Sequence, residues 1–171
     1  MRQTMISTVV FSLIVALQGV AAGEKSTKAE FKELCDAMEG HWKSNITLRR
    51  NFGGIGDQGD KLKVRAVNTV SANGNALIVK GTREKNVDLS GLWYYDVEDK
   101  QIKALNVFAD GTVDHSVIFK QGDGKWIQLS TPVKPDGKRI RKKLTLHITD
   151  NGNTHIWTDG DVRNVWHRVT R

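Results

Sequence analysis

The chain has 171 residues, a formal net charge of +7, 39% hydrophobic residues and one cysteine. That apolar content suffices for one packed domain. A single cysteine excludes an internal disulfide framework, so stability must come from packing. The cations are spread along the chain, with one denser run, "KPDGKRIRKK" (134–143). It holds few aromatics for base stacking, so it reads as a solvated loop and strand face, and no nucleic-acid partner is expected.

Residues 1–22, "MRQTMISTVVFSLIVALQGVAA", carry one cation, Arg2, then an apolar run from about Met5 to Leu17, and end in Val20, Ala21 and Ala22. This is the pattern of a cleaved secretory signal peptide. The apolar run is shorter than the roughly 20 residues of a bilayer-spanning helix, and no cysteine follows for a lipid anchor. The expected product is a secreted or periplasmic domain over 23–171, not stably inserted in a membrane. Loss of Arg2 takes its formal charge from +7 to +6.

The next segment reads as a short helix. Thr27 and Glu30 have capping-box spacing, and Phe31, Leu34, Cys35 and Met38 follow at i, i+3, i+4 and i+7. Cys35 falls on that apolar stripe and reads as a buried, inert thiol. Gly40 is placed to end the helix.

Everything after Gly40 reads as strand. Ten stretches, near 41–50, 61–70, 76–83, 89–96, 101–108, 112–120, 125–130, 139–149, 154–159 and 162–170, have period-two patterning or β-rich composition. "SANGN", "VEDKQ", "ADG", "QGDG", "PDGK", "DNGN" and "DGD" separate the later runs with residues that tolerate positive φ. Short strands joined by hairpin turns imply an antiparallel up-and-down meander. A sheet of that length must close or curl to hide its edges. The expected fold is mostly β: a ten-strand barrel or curled sheet with one N-terminal helix.

Gly40-His41-Trp42, after a short helix and opening the first strand, resembles the glycine–x–tryptophan motif of the lipocalin superfamily (the calycins). "LWYYDVEDKQIKALNVFADG", "GDGKWIQLS" and "KPDGK" are similar to lipocalin-like bacterial secreted domains of no assigned activity. The resemblance covers most of the chain after residue 22 through short motifs; the family's second, mid-chain Asp turn is not evident. It implies that Trp42 plugs the closed end of a barrel under an arginine of the last strand, Arg168 first and Arg171 second. The physical rationale is independent: an indole excludes water and offers its face to a guanidinium.

The chemistry of the remaining motifs is sparse. "GIGDQG" (54–59) matches a dinucleotide fingerprint in letters, but a period-two strand follows it where a helix would be needed. The five histidines show no metal-ligand spacing, so no metal site is expected. His115 shares parity with Val113, Val117 and Phe119 and is the candidate interior histidine. "VWHRVTR" has a slight similarity to the nitrobindins, which bind haem through a C-terminal histidine; this makes His167 the other candidate for haem or metal. Asp96, Asp110 and Asp114 read as turn caps. The tryptophans read as packing residues that can also wall a cavity. Asn45-Ile46-Thr47 is a sequon of consequence only in a eukaryotic secretory pathway.

Together these suggest a module that holds a small, partly apolar or amphipathic molecule, or a partner, at the barrel mouth, with His115, Val117, Phe119, Tyr95 and Trp126 as candidate ligand-binding residues and Gly40, Trp42 and Arg168 closing the barrel. No catalytic residue and no cofactor is assigned. The alternatives are a haem- or metal-binding barrel using His115 or His167, and a hydrolase or isomerase without an identified catalytic set.

Overall fold

A computed structural model describes residues 25–48, 56–83, 86–160 and 162–169; the expected signal peptide, Arg171 and the start of the glycine-rich loop, Gly54 and Ile55, lie outside them. Helix α1 spans Lys28–Met38. Its start is the predicted capping box: the Glu30 N–H donates to Thr27 Oγ1 (3.1 Å), and the Thr27 N–H donates to the Glu30 carboxylate (2.7 Å). Phe31, Leu34, Cys35 and Met38 form its buried stripe.

The strands are β1 (Gly40–Thr47), β2 (Lys61–Ser71), β3 (Ala76–Arg83), β4 (Asn86–Asp96), β5 (Gln101–Phe108), β6 (Val113–Gly122), β7 (Lys125–Val133), β8 (Lys142–Thr149), β9 (Thr154–Asp159) and β10 (Val162–Arg168). Each pairs with its chain neighbours, and β1 pairs with β10 to close the barrel. All pairings are antiparallel, and Trp42 stands directly opposite Arg168 in the closing pair. The open alternative, a curled sheet, is therefore not what forms. β2 follows the glycine-rich loop directly, so no helix N-terminus is there to meet a pyrophosphate.

One end of the barrel is solid. The stripe of α1 packs against Leu77, Ile102, Ile118, Trp126 and Leu146, all within the last few residues at that end of their strands. The other end, where β5 connects to β6 and β7 to β8, is the mouth. The basic run lies there, on the β7–β8 connection, with Lys134, Lys138, Arg139 and Arg141 exposed.

Gly40 begins β1 at φ 117°, a conformation costly for other residues. A Cβ there would also lie 2.7 Å from Arg168 Nη1, so the close approach of Arg168 depends on the glycine. Trp42 is almost fully buried (2% exposed). Replacing it with alanine should cost about 3–5 kcal/mol in urea unfolding; a loss below about 1 kcal/mol would show that the indole does not hold the closure. Burial, with the nearby acids Asp36 and Glu39 adding to it, pushes the Cys35 thiol up to about 12. Cys35 should therefore resist thiol reagents in the native protein and react on unfolding. Rapid native labelling would contradict its packing.

Candidate functional site

The barrel interior between α1 and the mouth contains a cavity of about 410 Å³. Its floor is built from Met38, Trp42, Asn68 and His155. The floor follows from the helix end. The last carbonyls of α1 have no intrahelical donors, and the barrel supplies them. The Ala37 carbonyl accepts from Arg168 Nη2 (2.8 Å) and His155 Nε2 (3.1 Å). The Met38 carbonyl accepts from Trp42 Nε1 and Asn68 Nδ2, both at 2.8 Å. Arg168 Nη1 donates to the Glu39 carbonyl. The expected contact between Arg168 and Trp42 is present, with the guanidinium carbon 4.5 Å from the ring centroid. His155 also stacks on Trp42, with their ring centroids 3.6 Å apart.

The walls are of two kinds. Leu89, Trp93, Phe108, Leu144, Trp157 and Trp166 give large apolar surfaces. Trp93 and Trp157 meet edge to face at 6.3 Å, a favourable quadrupole arrangement. The second wall, on β5–β7, is polar. Asn106 accepts the Trp93 indole N–H at 3.0 Å. Gly91, its cross-strand neighbour, leaves the room: a Cβ there would lie 2.2 Å from Asn106 Oδ1. Beside Asn106 in register is Asp114. Ser130 donates to one Asp114 oxygen (2.7 Å) and Ser116 to the other (2.9 Å). Gln128 Nε2 donates to the Ser116 hydroxyl at 2.8 Å, which leaves the single Ser116 proton for Asp114. At the rim Lys142 and Asp159 form an ion pair of 2.9 Å.

None of the five sequence-predicted ligand residues lines this cavity. His115 is exposed on the outer surface, opposite Leu105 and Thr131, and Val117 shares its outward parity. Phe119 is buried, but away from the cavity. Tyr95 and Trp126 belong to the base, where Tyr95 donates to the Ser26 carbonyl (3.2 Å) and Trp126 joins the core under α1. His167 is exposed and near Thr154. The correction has one physical cause. Sequence patterning assumes that the apolar face of a strand points in. On β6 the inward set is Asp114, Ser116 and Ile118, and Val113, His115 and Val117 point out. Asp114 is accordingly a wall residue and not the expected turn cap. Asp96 and Asp110 are caps: Asp96 accepts from the Glu98 and Asp99 N–H groups, and Asp110 from that of Thr112.

The missed residues had a signal. Ile118 is separated by two and four residues from Ser116 and Asp114, Trp126 by two and four from Gln128 and Ser130, and Ile102 by four from Asn106. Anchoring parity on the large apolar residue at the base end of each strand places all these polar groups inside. Among the described residues no three His, Cys, Asp or Glu side chains gather as a metal site, and no helix is long and apolar enough to cross a membrane. No protein-family profile matches the chain, and no curated protein is significantly similar to it.

Burial, reinforced by the charge of Arg168 and opposed by the Ala37 carbonyl, lowers His155 from 6.5 to about 4. The unfolded chain thus binds this proton more readily than the folded one. The contribution of neutral His155 is whole above pH 6.5 and is lost as pH falls toward about 4. The loss amounts to about 3 kcal/mol over that window. Urea unfolding of wild type and His155→Gln at pH 7.5 and 4.5 checks this. The wild type should lose stability more steeply, and parallel losses would place the acid sensitivity elsewhere.

Proposed function

We propose that this chain is an exported, lipocalin-like module that holds a small, partly apolar molecule inside its barrel. The observation that carries the reading is the cavity: about 410 Å³, floored by the helix clasp and walled by aromatic and aliphatic side chains with one polar side. Volumes of roughly 300–1,000 Å³, mostly apolar with a few convergent polar groups, are typical of small-molecule sites. The Gly40–Trp42 motif beneath Arg168 supports the family resemblance, and residues 1–22 support export. A guest gains about 25 cal/mol for each Å² of apolar surface it buries.

The binding reading is preferred to the alternatives on the positions of the histidines. His115 and His167 are exposed and do not line the cavity. His155, the one imidazole among the described lining residues, is bonded to Ala37 and stacked on Trp42 rather than paired with a serine hydroxyl. Interior haem ligation through His115 or His167, and hydrolysis by an activated serine, therefore find no support in the wall.

The neutral fluorophore N-phenyl-1-naphthylamine tests the reading. It should brighten when titrated into wild type and bind at least about tenfold more weakly to Ala66→Phe, whose side chain fills the wall opposite the polar face. Equal binding by both proteins, or none by either, would leave a packed scaffold and no binding site. Circular dichroism checks that the variant is folded.

A further inference from the structure

We propose that Asp114 is the polar pole of this site and that the guest carries a protonated amine, joined to an aromatic or aliphatic body. The inference rests on the binding reading above and names its ligand class. Asp114 is 4% exposed, lines the cavity, and among the described residues is bonded to hydroxyls and to no cationic side chain. One of its oxygens accepts from the Ser116 hydroxyl and the other from the Ser130 hydroxyl. A buried carboxylate is costly unless it is paired and hydrogen-bonded. The hydroxyls supply the bonds but not the charge. Lys142 on β8, the cation among the described lining residues, is held by Asp159.

The donors are arranged for a carboxylate that accepts. The Gln128 amide donates to Ser116, and both serine protons run to Asp114. Each Asp114 oxygen keeps lone-pair capacity. The wall is thus oriented before any ligand arrives, which lowers the cost of binding a donor there. The rest of the lining matches such a guest. Trp93, Phe108, Trp157 and Trp166 supply ring faces to an apolar body, and aromatic faces also attract cations. A neutral guest would leave Asp114 without a counter-charge, and an anionic guest would be repelled by it.

Isothermal titration of wild type at pH 7 with three matched indoles tests the assignment: tryptamine, neutral 3-ethylindole and anionic indole-3-propionate. Tryptamine should bind about tenfold or more tightly than 3-ethylindole, the scale of one charge-assisted hydrogen bond, and indole-3-propionate should bind weakest. In Asp114→Asn, which keeps the shape and an acceptor, the ratio of tryptamine to 3-ethylindole should fall to near one. Tryptamine no tighter than 3-ethylindole in wild type would overturn the amine assignment, whether or not the variant folds. Retention of the preference by a folded Asp114→Asn would also overturn it. If N-phenyl-1-naphthylamine binds while the amine preference is absent, only this inference falls. If no apolar probe binds, the cavity reading falls and takes the inference with it.

Discussion

The structure depends on how the C-terminus of one short helix is held. An α-helix ends with carbonyls that no residue of the helix can satisfy, and α1 ends inside a protein, where water cannot serve them all. Four side chains from four strands meet that need: Trp42 of β1, Asn68 of β2, His155 of β9 and Arg168 of β10. Those are also the strands on either side of the seam where the barrel closes. The clasp therefore does two things at once. It ties α1 to the barrel, and it joins the first strand to the last. Arg168 also places a positive charge at the negative end of the helix dipole, although α1 has no basic residue in its own last turn.

The same clasp decides where empty space is left. Below Trp42 the α1 stripe fills the barrel with side chains. Above it no large residue is delivered from a helix, and the wall must stand by itself. A ten-strand barrel is wider than the eight-strand kind whose interior side chains just fill. The strands facing the space can therefore afford polar groups, provided these satisfy one another. β5–β7 do this with Asn106, Asp114, Ser116, Gln128 and Ser130, each bonded to a neighbour or to Trp93. The outer face of these strands then carries apolar residues such as Leu105, Val107 and Leu129 in exposed positions. The inside-out pattern of β6 is the signature of the site, because a solid barrel has no use for it.

This explains which parts of the molecule were legible in the sequence. The helix, its capping box, the ten strands and the Trp42–Arg168 contact rest on local signals: capping spacing, strand periodicity, turn residues, and one motif at a fixed place. In β2 the apolar residues Leu62, Val64 and Ala66 face inward, as patterning assumes. β6 does the opposite, so the same patterning puts His115 and Val117 on the wrong face. The His155 contacts were not legible because they depend on strand register and on the depth of a helix end, which no local pattern encodes. The function of Asp114 was hidden by position: it is the second residue of β6, close enough to the Asp110–Gly111 turn to look like part of it.

Charge at the mouth bears on what reaches the interior. The exposed cations of the β7–β8 connection would favour anions at the rim, whereas Asp114 favours a cation inside. The two do not act on equal terms. Rim charges are solvated and screened over about 8 Å at physiological ionic strength. Lys142, which opens β8 and lines the cavity, is already paired with Asp159. Asp114 is buried in the wall at 4% exposure, where effective permittivity is lower than in bulk water and a charge at hydrogen-bond distance is worth several times more. The rim therefore modulates the rate of arrival and its salt dependence, while the equilibrium preference is set by the buried carboxylate. A guest whose amine reaches Asp114 and whose body lies against Trp93 and Trp157 is held by the part of the field that salt screens least.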